Sequence, residues 1–124
     1  MSGRRNAPAL SDIDPDEIYE RIRRAGYAFA QARKRFRLLE KAEKPLLARL
    51  VLRVRRDTKV SIAEAEKTAL ASMEYQRHCE GQAEAEEEML QAQVILDAEK
   101  TWIEIARTNN VNERERLKAL QLIG

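Results

Sequence analysis

Three groups of residues, one of His, Cys and Glu side chains, one basic and one built on Trp102, have the types and spacings from which chemistry could be built. His78 and Cys79 are the chain's one histidine and one cysteine, and they are adjacent. A zinc ion takes about four ligands, so this pair cannot complete a site of the usual His/Cys kind. Nor do the two suit a nucleophile and its base. Neighbouring helix positions point about 100° apart, so the ring does not reach the sulfur. Glu86, Glu87 and Glu88 could attract a divalent cation, but consecutive helical residues splay around the axis, which makes a solvated face the simpler reading. There is no glycine-rich phosphate loop and no nucleotide fingerprint. The expectation is a protein that is not an enzyme, with no cofactor, no metal and no small-molecule substrate.

The second group is basic. Arg21, Arg23 and Arg24 are followed by Arg33, Lys34, Arg35 and Arg37, then by Arg49, Arg53, Arg55, Arg56 and Lys59. Phosphate binding needs cations spaced to track a backbone, and arginine dominates here, as bidentate phosphate contacts favour. Arg21, Arg23, Arg24, Arg33, Arg37, Arg49, Arg53, Arg55 and Arg56 are therefore candidate nucleic-acid-binding residues. The competing reading is internal: these arginines face the acidic last helix, where Glu84, Glu86, Glu87 and Glu88 offer partners. On that reading the Arg21–Arg24 and Arg53–Arg56 clusters lie further from those glutamates and are the better candidates for an outside partner. Stacking platforms for single strands are scarce. Tyr19, Tyr27, Phe29 and Phe36 fall on or near the packing stripe and read as core.

The third group is Trp102, with Arg107 and Arg114. Trp and Arg are the commonest interface anchors, so these residues are candidates for partner binding. The plainer reading is a hydrophobic anchor followed by a polar helix end loosened at Asn109-Asn110.

The elements that position these groups are helices. Charged residues make up 35% of the 124, with only four glycines and three prolines, which argues against a turn-rich β-sandwich. The net charge of +2 is too small for a disordered polyelectrolyte. Residues 1–60 carry 16 Lys/Arg and 8 Asp/Glu, whereas 61–124 carry 7 and 13. Such asymmetry suits two mutually attracting segments or a basic surface with an outside partner. Asp14-Pro15-Asp16-Glu17 is a helix start, and apolar residues at helical spacing from Ile18 through Phe29, Phe36, Leu39, Leu46 and Leu50 to Val54 predict a helix over about 15–56. Pro45 inside that span predicts a kink, and Glu43 on the apolar stripe needs a partner. Ser61 and Glu64 form a second capping signature, opening a short helix over about 62–71. A last helix over about 73–120 carries the seven-residue series Tyr75, Gln82, Met89, Leu96, Ile103, Asn110 and Leu117.

The fold expected is all-α: a flexible leader at 1–13, then one coiled-coil-like antiparallel helical hairpin over 14–124. A two-helix hairpin leaves its seam half wet, and Ile95, Trp102 and Ile105 add a second apolar strip, so a dimer or higher oligomer is expected. A lone cysteine, no signal sequence and no apolar run near 20 residues point to a cytoplasmic protein with no membrane partner.

Tyr27-Ala28 with Phe36-Arg37, the Ser61-Ile62-Ala63-Glu64-Ala65-Glu66 opening, Met73-Glu74-Tyr75, Trp102, Arg107-Thr108 and Asn112-Glu113-Arg114 resemble small helical proteins of tailed phages and prophages. Pro45 departs from that pattern. The resemblance, over about residues 19–116, implies a place beside phage DNA replication and recombination genes in a bacterial host cell. It makes a DNA-binding accessory protein, or a binder of a DNA-processing protein, the leading functional expectation. A structural or assembly coiled coil that binds only protein is the alternative.

Overall fold

The computed structural model describes residues 14–123. It contains α1 (Pro15–Thr58), α2 (Ile62–Leu70) and α3 (Met73–Ile123), with no strand among the described residues. The all-α class expected from periodicity is the one observed: two long helices and a short one between them. The leader read at 1–13 lies outside the described residues.

Local chemistry accounts for each boundary. The Asp14 carboxylate accepts the Asp16 backbone N–H at 3.0 Å, and Pro15 fills a first-turn position where no N–H is needed. α1 runs unbroken through Pro45. It ends at Lys59, whose φ of 55° is left-handed and stops the helix although no glycine is present. The Ser61 hydroxyl accepts the Glu64 N–H at 3.2 Å, which caps α2. Ser72 caps α3, accepting the Tyr75 N–H at 3.2 Å while donating to the Ala69 carbonyl at 2.7 Å.

The described residues divide into two compact units, one of 14–28 with 92–123 and the other Phe29–Gln91. Heptad lettering makes both legible. In α1, Ile22, Phe29, Phe36, Glu43 and Leu50 take position a, and Ile18, Ala25, Ala32, Leu39 and Leu46 take position d. In α3, Tyr75, Gln82, Met89, Leu96, Ile103 and Asn110 are a, with His78, Ala85, Ala92, Glu99 and Ala106 at d. All of these are buried or half-buried.

In Phe29–Gln91 the helices run antiparallel, as Arg35 pairs with Glu88, Glu43 with Tyr75 and Arg53 with Glu74. The most buried side chains there are Leu50, 3% exposed, and the fully covered Ala65, Ala69 and Ala85. Small residues at the contact let helices approach closely, so burial comes from backbone proximity rather than from large side chains. The unit of 14–28 with 92–123 buries Ala25, Ile103 and Ala106.

Four packing positions, those of Glu43, Tyr75, His78 and Gln82, carry polar groups in the seam of Phe29–Gln91. The Tyr75 hydroxyl donates to Glu43 Oε1 at 3.1 Å, giving Glu43 the partner that its place on the stripe demands. Across the same face, His78 Nε2 and Gln82 Oε1 are buried with no hydrogen-bond partner among the described residues. Orphaned atoms of this kind cost about 1–3 kcal/mol each.

The hydrogen bond to Glu43, then burial, pushes the Tyr75 hydroxyl from its ordinary 10.0 up to about 12. A raised pKa means that the stability from this bond is complete below about pH 10 and is lost as pH climbs towards 12. Tyrosinate absorbance during alkaline titration should show one tyrosine ionising near pH 12, and Tyr75→Phe should remove it. The difference in unfolding midpoint between wild type and Tyr75→Phe should shrink over the same interval.

Candidate nucleic-acid interface

The arginines singled out by sequence separate according to heptad position. Arg35 and Arg49, at g in α1, lie beside the seam and meet acids of α3. Arg35 pairs with Glu88, and Arg49 approaches Glu74 at 3.8 Å. Arg53, at d, reaches the same Glu74 at 2.6 Å. The hydrogen bond from Arg53 and the charge of Arg49 hold the Glu74 carboxyl below its usual range. Of the four glutamates offered as partners from sequence, only Glu88 forms an ion pair among the described residues.

In the unit of 14–28 with 92–123, Arg21 makes a bidentate contact with Glu99, Nε to Oε2 at 2.9 Å and Nη2 to Oε1 at 3.0 Å. Its guanidinium also lies 4.5 Å from the centre of the Trp102 ring, a cation–π contact. Arg23 pairs with Glu20 one turn away at 3.0 Å and holds that carboxyl below its usual range. Arg56 meets Asp57 at 3.3 Å. Thus Arg21 and Arg53, both in the clusters offered for an outside partner, are engaged within the chain.

The rest of the basic set is different. Arg24, Arg33, Arg37 and Arg55 are exposed and make no ion pair among the described residues. Within Phe29–Gln91, positions b and f of α1 hold Lys34, Arg37, Lys41, Lys44 and Arg55, all exposed, with Arg33 beside them at e. From residue 30 to 55 no acid occupies b, c or f. Lys34 to Lys44 spans ten residues, about 15 Å of helix, so four cations line under three turns. Ala30 at b precedes them and Ala48 at f follows them, small residues at either end of the row. Lys41 and Lys44 were not among the sequence candidates. Their signal is the angular one: both fall on the face opposite a and d.

Aromatic stacking contributes differently from expectation. Phe29 and Phe36 are half-buried on the packing face, as read. Tyr19 and Tyr27 are not core: they are 65% and 63% exposed, because they occupy e and f.

The three partner-binding candidates are not brought together. Trp102 is half-buried at g under Arg21. Arg107, at e on the other flank of α3, pairs with Glu104 at 3.0 Å. Arg114 lies where every side chain from 111 to 122 is exposed. No group of three or more His, Cys, Asp or Glu among the described residues could hold a metal ion, and no helix among them is long and apolar enough to cross a membrane. Comparison with family models, curated proteins and solved structures returns no match to the chain.

Proposed function

We propose that this chain is a non-enzymatic accessory protein of phage or prophage DNA replication or recombination, acting in the bacterial cytoplasm and holding duplex DNA through the outer face of α1. One observation carries the DNA-binding reading: Lys34, Arg37, Lys41, Lys44 and Arg55, which make no ion pair among the described residues, share positions b and f of α1, where no acid stands from residue 30 to 55, while Arg35, Arg49 and Arg53 meet acids of α3. Cations already neutralised by carboxylates release few counterions on binding, whereas free ones release nearly one each. The phage setting rests on the resemblance of the sequence motifs.

The face is built for a backbone and not for bases. Its side chains are long, solvated and at spacings of three and four. Gln31 at c is the one amide side chain on this face from residue 30 to 55, too few to read a run of base edges. Binding should therefore be insensitive to sequence and steeply sensitive to salt. With five or six phosphate contacts, a plot of log K against log salt should fall with a slope of about −5. Fluorescence anisotropy of a labelled duplex across a salt series measures it. A slope near zero, or no binding at about 50 mM salt, overturns the proposal.

The engagement of Arg21, Arg35, Arg49 and Arg53 by carboxylates favours a second reading, an assembly coiled coil that binds only protein. On that reading removing the unpaired cations leaves partner capture unchanged.

A further inference from the structure

One face of α3 in the unit of 14–28 with 92–123 carries no charge at all. Positions f, g and c from Val94 through Ile95, Ala98, Thr101, Trp102 and Ile105 are uncharged, and the face stays so to Asn112. In a chain that is 35% charged, such a run is conspicuous. The charges of this stretch lie elsewhere: Asp97, Lys100, Glu104 and Arg107 occupy b and e, and Glu99 is tied to Arg21. The face is nevertheless wet, with Val94 67%, Ile95 57% and Ile105 46% exposed.

We infer that this face binds a second copy of the chain, α3 against α3 in antiparallel array about a two-fold axis near residue 100. Two properties select that occupant. The first is electrostatic. A partner rich in acids or bases gains nothing from an uncharged strip, whereas the strip meets its own copy without repulsion, because Arg21 at its edge is neutralised by Glu99. The second is steric. An axis near residue 100 sets Ile95 opposite Ile105 of the second copy and Ala98 opposite its Trp102, so the largest side chain meets the smallest. That is the self-complementarity an isologous contact requires. This inference does not depend on nucleic-acid binding, since none of the α1 cations proposed for DNA lies in the strip.

Light scattering and sedimentation of the full chain test it. The wild type should dimerise. Ala98→Glu, at an exposed helical site, should keep its helical circular dichroism yet raise the dimer Kd on the order of 100-fold or more, because it buries an unpaired carboxylate. In a Cys79→Ser background, Thr101→Cys should oxidise to a covalent dimer while Glu87→Cys does not, which reads the register independently of any loss of fold. A chain that is monomeric at every concentration, an Ala98→Glu chain that dimerises like wild type, or equal cross-linking at both cysteines overturns the inference.

Discussion

Replacing Lys34, Arg37, Lys41 and Lys44 together by glutamine should weaken duplex DNA binding by roughly 10³-fold at about 0.1 M salt. The figure follows from counterion release: each lost phosphate contact removes close to 0.9 from the slope of log K against log salt, and four removals multiply. The salt slope itself should drop by about four. The control separates position from charge count. A chain with Arg35→Gln and Glu88→Gln loses one cation and one anion, the two members of an existing pair. Its net charge is unchanged and its affinity should stay within about threefold, since a paired cation has few counterions to release. Exposed ion pairs contribute little to stability, so both chains should remain helical. If the pair-deleted chain lost as much affinity as the four-cation chain, the sorting of the arginines by heptad position would be wrong. Parallel anisotropy titrations at two salt concentrations decide the matter.

That sorting also marks where the sequence is informative and where it is not. The elements are legible because spacings of three and four force one face inward: Ile18, Ile22, Ala25, Phe29 and Phe36 can share a stripe only on a helix. Asp14 and Ser61 announce helix starts because unsatisfied N–H groups need an acceptor wherever the chain begins to coil. The basic face is less legible because runs such as Arg33-Lys34-Arg35 are neighbours along the chain but diverge around the helix. Arg35 turns towards Glu88 while Lys34 turns to solvent. Counting cations by cluster therefore mixed engaged with free groups and missed Lys41 and Lys44. Tyr27 was misread for the same reason, an apolar body at an outward angle. Glu43 shows the opposite case. Its need for a partner is visible in sequence, but that Tyr75 supplies it depends on the register of α1 against α3, which no local pattern contains. The orphaned His78 Nε2 and Gln82 Oε1 are likewise invisible until both helices are in place.

Pro45→Ala should stabilise the chain by about 2 kcal/mol and raise its Tm by roughly 5–10 °C. Proline in a helix interior costs about 3 kcal/mol relative to alanine, since it has no N–H to give the carbonyl four residues back and its ring crowds that turn. Here that carbonyl belongs to Lys41, and Pro45 is exposed at position c within an unbroken α1, so water can reach the unpaired oxygen and the cost is partly relieved. Against the gain stands the unfolded chain: alanine is freer than proline there, which returns about 0.4–1 kcal/mol. The balance remains favourable because the rest of the turn already has helical geometry, and no side chain must move to accommodate a methyl group at a solvent-facing position. Thermal melts followed by circular dichroism measure the difference, with urea unfolding as a second estimate of the same quantity. A variant no more stable than wild type would mean that α1 is already broken at Pro45 in solution. Lys34, Arg37, Lys41 and Lys44 would still lie on one side of that break and Arg55 on the other. The salt slope of the wild type would then fall by about one, to the value set by the remaining cations.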